Sequence, residues 1–104
     1  MSGYRIGEHA LRHLEEIYLH TIDHWGPEAA DAYARSLFTV FDRIAANDIV
    51  SRAIEAEFGI DGHCARCASH LVYWRRARDG MIEILAVLHR RMHQPERLRQ
   101  LMSD

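Results

Sequence analysis

A Gly-Pro step at residues 26 and 27 divides one long amphipathic stretch in two, and no other feature narrows the possible folds as much. Upstream of it, Leu11, Leu14, Tyr18, Ile22 and Trp25 recur at spacings of three and four, the pattern of one helical face. This helix is predicted to begin near Glu8 and stop at Gly26. Pro27 fits the first position of a second helix, where its missing N–H costs nothing. Ala30, Tyr33, Leu37, Val40, Phe41 and Ile44 supply that helix with its apolar stripe. Two helices joined so tightly must run as an antiparallel hairpin. Trp25 and Tyr33 are expected to lock it, with the indole buried.

Before the hairpin, Tyr4, Arg5 and Ile6 make a short β-like start; after it, Asn47 and Asp48 end the second helix. Residues 49–60 contain Ile49, Val50, Ile54 and Phe58 without clear periodicity, and leave room for a short helical turn. Beyond Gly62 the pattern becomes strand-like, over residues 63–68, 71–77 and 81–88. Arg78, Asp79 and Gly80 suit a hairpin turn because Gly tolerates positive φ. Pro95 can open a last short helix carrying Leu98 and Leu101. The expected fold is therefore α+β in one domain, residues 1–104. A short N-terminal strand precedes an antiparallel helical hairpin, followed by a three-stranded antiparallel sheet and a short C-terminal tail. At 104 residues and 48% apolar, the chain suffices for one core. No apolar run approaches the roughly 20 residues of a membrane span, and the N-terminus lacks signal-peptide order, so a cytoplasmic location is expected.

Charge is unevenly placed. Residues 1–61 hold 5 Arg against 11 Asp and Glu, whereas residues 62–104 hold 8 Arg against 4. Lys is absent altogether, which removes Schiff-base and P-loop lysine chemistry. Arg suits bidentate pairing with carboxylates, which favours a partner with an acidic segment.

Three segments together carry a family resemblance. His24, Trp25 and Gly26, followed by Ala29, Ala30 and Tyr33, resemble the RWG-type link between the two helices of ParE toxins. Ser69 to Arg75, reading SHLVYWR, resembles their "GSHxxFYR" strand, and Ile82 to Met92, reading IEILAVLHRRM, resembles "IEIVRVLHxRM". The connection departs from the family, since Asn47 to Ala53 lack the Pro and Gly of "NPxxGRP", which should change the path of that loop. The resemblance implies a RelE/ParE-like fold and the role of toxin in a type II toxin–antitoxin pair. It also implies neutralisation by a ParD-like antitoxin, DNA gyrase as target, no catalytic site and no cofactor. Direct DNA binding is expected only through the antitoxin.

Several residues invite chemical readings. Cys64 and Cys67, with His63 and His70 nearby, suggest zinc or redox chemistry, but no second cysteine pair exists. In an extended strand, side chains three apart point to opposite faces, so structural cysteines are the favoured reading. His9, His13, His20 and His24 share a helical stripe and are expected at a solvated border rather than on a metal. The aromatic residues Tyr18, Tyr33, Trp25, Phe38 and Phe41 have the spacing of core packing rather than base stacking. The candidate partner-binding set is Arg75, Arg76, His89, Arg90, Arg91, Arg97 and Arg99. The alternative is a RelE-like ribosome-dependent mRNA endonuclease, with Arg75, Arg90 and Arg91 on phosphate and His89 or His93 moving protons.

Overall fold

A computed structural model describes residues 3–54 and 62–91. Along the chain lie β1 (Tyr4–Ile6), α1 (Glu8–Trp25), α2 (Pro27–Ala45), β2 (Arg52–Ala53), β3 (His63–Cys67), β4 (His70–Arg76) and β5 (Ile82–His89). The strands form one sheet in the order β1-β5-β4-β3-β2. β1 runs parallel to β5, with Tyr4 opposite Ile82, and the other pairings are antiparallel. The α+β class holds, but the sheet has five strands. The addition is β2, which occupies the connection where a helical turn had room. It forms because Arg52 and Ala53 pair with Cys64 and His63 on the free side of β3, giving their backbone groups partners that the local sequence does not announce. The expected C-terminal helix at Pro95, Leu98 and Leu101 lies outside the described residues, as does Phe58.

Gly26 alone joins the helices. Its N–H closes α1 on the Ile22 carbonyl, while its own carbonyl accepts from the Ala30 N–H to begin α2. At φ 93° and ψ 168° it occupies backbone territory essentially reserved for glycine. Pro27 follows at the first position of α2, as its geometry favours.

The second helix buries the stripe its sequence marks: Leu37, Val40, Phe41 and Ile44 join the core against the sheet, while Ala30, also buried, lies outside that cluster. The first helix does not. Its buried side is Ala10 with Leu14 and Ile17, and the Val87 N–H donates to His13 Nδ1 at 3.2 Å. Leu11 and Trp25 point away, at 54% and 78% exposure. The expected burial of Trp25 is therefore corrected: the single-residue joint leaves the indole at the end of α1, beyond the sheet's reach.

Both faces of the sheet hold apolar residues. Ala65, Cys67, Val72, Trp74, Ile82, Ile84 and Val87 lie on the helix side; Cys64, Tyr73, Leu85, Ala86 and Leu88 form a second cluster. The two cysteines are free and fall in different clusters, as a three-residue step along a strand requires. Alternation breaks once, where Tyr73 faces Ala86 but Trp74 faces Ile84. Leu85 is the extra residue of this bulge, which explains how Leu85 and its neighbour Ala86 share a cluster.

The turn between β3 and β4 holds Ala68 at φ 52°, the position at which the "GSH" pattern carries Gly. Ala68→Gly is expected to raise stability by about 0.5–1 kcal/mol in urea denaturation, left-handed strain relieved outweighing the added chain entropy. Gly26→Ala should instead cost about 1–3 kcal/mol, although its added methyl would meet nothing within 4 Å. Trp25→Ala should stay within roughly 0.5 kcal/mol of the parent, as surface changes do. A large loss in that last variant would place the ring in the core after all.

Candidate partner-binding surfaces

The described members of the candidate basic set fall into two groups. Arg75 and Arg76 close β4, opposite Glu83 and Ile82, whereas His89 stands opposite His70 at the other end of the same pair of strands. Six residue steps of strand separate Arg76 from His70, roughly 20 Å. Arg97 and Arg99, like His93, lie outside the described residues.

The first group is engaged within the fold. Arg75 Nε donates to Glu83 Oε1 at 2.7 Å, and Arg5 Nε donates to Glu83 Oε2 at 3.3 Å. The register causes this, because Arg5 and Arg75 flank Glu83 on neighbouring strands. Partial burial alone would push the Glu83 carboxyl up, but the two guanidiniums outweigh it and hold it below its usual range. Arg5 also reaches Asp79 Oδ2 at 3.1 Å, and Arg76 Nη1 donates to the Gly80 carbonyl. A phosphate site built jointly from Arg75, Arg90 and Arg91 does not assemble in this geometry.

The second group joins a cluster that had no sequence signal. Tyr33 Oη from α2 lies 2.5 Å from His70 Nδ1 and 3.4 Å from the Cys67 carbonyl, so the pair is satisfied in either His70 tautomer. Burial, and then the nearby His89 and His20 rings, lower His70 to about 4. The His89 ring meets His70 edge-on at 5.2 Å. From the hairpin, the His20 and His24 rings approach with centroids 4.0 Å apart and planes tilted by 30°. The helical histidines thus divide: His13 reaches inward, while His20 and His24 sit at the solvated border. Among the described residues, no three His, Cys, Asp or Glu side chains converge as a metal site would need.

A third feature is apolar. Along the outer side of the hairpin runs a groove of about 550 Å³, lined by Leu11, Leu14, Tyr18, Leu19, Ala34 and Phe38, with Glu15 and Tyr33 at its margins. Leu11, Leu19 and Phe38 are exposed, so the groove is open to solvent. A signal for it exists in the sequence. Leu11, Leu14, Ile17, Leu19 and Ile22 spread around α1 too widely for one face on the sheet, which calls for a second apolar neighbour. Tyr18 Oη donates to Asp31 Oδ1 at 2.5 Å, bridging the helices beside the groove.

Fold and surfaces together define a small α+β protein with an apolar groove on its helices and a basic, histidine-rich end on its sheet. Residues 4–94 match the family model described as ParE toxin of type II toxin-antitoxin system, parDE. A Toxin ParE1 of Mycobacterium tuberculosis (strain H37Rv) is 37% identical over 91 residues, covering 88% of this chain and 92% of that protein. A Toxin ParE1 of Caulobacter vibrioides is 32% identical over 95 residues, covering 89% and 94%. In fold, a solved chain described as a chromosomal ParDE TA system from P. aeruginosa superposes with a TM-score of 0.69 at 19% identity, over 86% of this chain and 96% of that one. The chain belongs to the ParE toxin family of type II toxin–antitoxin systems. No helix among the described residues is long and apolar enough to cross a membrane.

The lowered His70 value makes a pH prediction with a definite sign. The unfolded chain takes up this proton near 6.5, the folded chain only near 4. Stability should therefore fall as pH drops from about 6.5 toward 4, with about one extra proton bound on unfolding. His70→Gln should remove that proton from the pH dependence of the urea midpoint. An unchanged slope would show that the ring is solvated.

Proposed function

We propose that this chain is a toxin that acts by binding rather than catalysis, and that a ParD-like antitoxin neutralises it by laying an amphipathic helix in the hairpin groove. The observation that carries this reading is the groove itself. Leu11, Leu19 and Phe38 stand exposed beside one another along two parallel-sided helices. Such a surface suits the apolar face of a third helix, whose residues at three- and four-residue spacing would fill it. The ParDE description of the structural neighbour supports the choice of partner. DNA gyrase is the proposed target, and the cytoplasm the proposed place of action.

The expected basic contacts fit this arrangement as flanks of the main site, with Arg90 and Arg91 near one end of the hairpin and Arg76 at the far end of the sheet. The antitoxin's acidic residues would pair there, while the groove supplies the apolar area.

Leu19→Glu tests the reading. Leu19 is 66% exposed, so the domain should melt within a few degrees of the parent. Affinity for the antitoxin encoded beside this gene should fall at least about tenfold, because a carboxylate would be buried against apolar side chains. Growth arrest by the toxin alone should persist, and co-expressed antitoxin should no longer rescue it. Purified wild-type protein should block supercoiling by gyrase and leave ribosome-bound mRNA intact. Cleavage of mRNA in the ribosomal A site would replace this reading with the endonuclease.

A further inference from the structure

Among the described residues, the polar side chains that line the apolar groove are Glu15, Tyr18, Thr21 and Tyr33. The three hydroxyls already have partners within the fold. Tyr18 Oη donates to Asp31 Oδ1, and Thr21 Oγ1 donates to the Ile17 carbonyl at 2.7 Å. The Tyr33 hydroxyl is taken up by His70 Nδ1 and the Cys67 carbonyl. Glu15 differs: no described side chain forms a hydrogen bond or an ion pair with its exposed carboxylate. The arginines nearest in sequence, Arg12 on α1 and Arg35 on α2, pair with neither Glu15 nor Asp31. Leu11, Glu15 and Leu19 follow one another at four-residue spacing, on one line along α1. The carboxylate therefore interrupts the exposed apolar stripe midway, about 6 Å of helix rise from each leucine.

We propose that Glu15 selects the groove's occupant by charge: the antitoxin helix carries an arginine or lysine that pairs with this carboxylate, between two apolar residues that cover Leu11 and Leu19. This selection presupposes that the antitoxin occupies the groove, as proposed above, and adds the chemistry by which the groove tells one helix from another.

In water the Glu15 carboxylate is solvated and costs nothing. A helix laid over Leu11 and Leu19 removes that water, and a carboxylate buried without a partner is strongly unfavourable. A hydroxyl or amide on the partner would satisfy part of its hydrogen bonding but leave its charge unbalanced, with Asp31 adding a second carboxylate beside the groove. A cation answers both needs, and an arginine can do so through two parallel hydrogen bonds. The acidic balance of residues 1–61, 5 Arg against 11 Asp and Glu, favours the approach of such a helix. Since both helices rise about 1.5 Å per residue, the cation falls three or four residues from each apolar anchor. A helix with the right apolar face but a neutral or acidic residue there is rejected, which is specificity by an unpaired charge.

The sign of one substitution tests this. Affinity of the full chain for the antitoxin encoded beside its gene is measured by calorimetry for the parent, Glu15→Gln, Glu15→Leu and Leu19→Glu. Glu15 is exposed, so both of its variants should melt within a few degrees of the parent. Glu15→Gln should bind at least about tenfold more weakly, because the antitoxin's cation is then buried without its counter-charge. Glu15→Leu should also weaken binding, although it completes the apolar stripe. An occupant with no cation gives the opposite sign, since Glu15→Leu then spares a carboxylate its desolvation and binds more tightly. Equal or tighter binding by both Glu15 variants, with Leu19→Glu still impaired, overturns the charge selection and leaves the groove reading standing. Unimpaired binding by Leu19→Glu overturns the groove reading itself and the selection with it. If Glu15→Leu aggregates, Glu15→Gln decides alone, on the same outcomes.

Discussion

Gly26 must hold φ near 93° while serving two helices at once, closing one and opening the other. With a single residue between them, the 18-residue and 19-residue helices cannot diverge, so both lie against the same side of the sheet. The consequences reach each surface described above. The hairpin's inner side closes over Val72, Trp74, Ile84 and Val87. Its outer side, too broad for one row of side chains to fill, becomes the apolar groove. Its end, where no side chain follows Trp25 before the turn, leaves the indole in solvent.

How far the sequence revealed this arrangement depends on the kind of information each element carries. Helix ends were legible because Gly and Pro act through their own backbone. The β4–β5 turn was legible for the same reason, with Gly80 at φ 85°. The burial of α1 was not, because spacing identifies an apolar arc without saying what covers it. Leu11, Tyr18 and Trp25 do share an arc, but the sheet takes the neighbouring one through Ala10, Leu14 and Ile17. β2 was illegible because two residues have no periodicity, and only pairing with β3 defines them. The bulge at Leu85 is likewise a property of the β4–β5 register rather than of β5 alone.

Sites divide along the same line. Cys64 and Cys67 could be separated by pleat geometry, which is local. The basic residues near the C-terminus could be counted but not sorted. Pairing two strands antiparallel sends Arg75 to one end and Arg90 to the other, and Glu83 then engages Arg75 and Arg5 together. Tyr33 and His70 are 37 positions apart, and no spacing rule connects them. The family pattern contains both, one in the helix link and one in the strand, without indicating that they touch.

That contact also bears on how the surfaces relate. Tyr33 borders the groove with its ring and reaches His70 with its hydroxyl, so one side chain spans the boundary between the apolar hairpin and the histidine-rich end. A helix seated in the groove would pack against a residue whose position is set by the β3–β4 turn. The same turn orients Arg66 and, through Ser69, the backbone of Arg90. Close packing transmits displacement poorly unless an alternative arrangement exists. Here Tyr33 can donate either to His70 or to the Cys67 carbonyl, two acceptors on either side of that turn. Occupation of the groove would therefore reach the basic end by adjacency, through direct cover by a long partner segment, with no change of fold required. An antitoxin helix seated in the groove, as proposed, would therefore lie next to the β3–β4 turn that carries His70 and holds the backbone of Arg90.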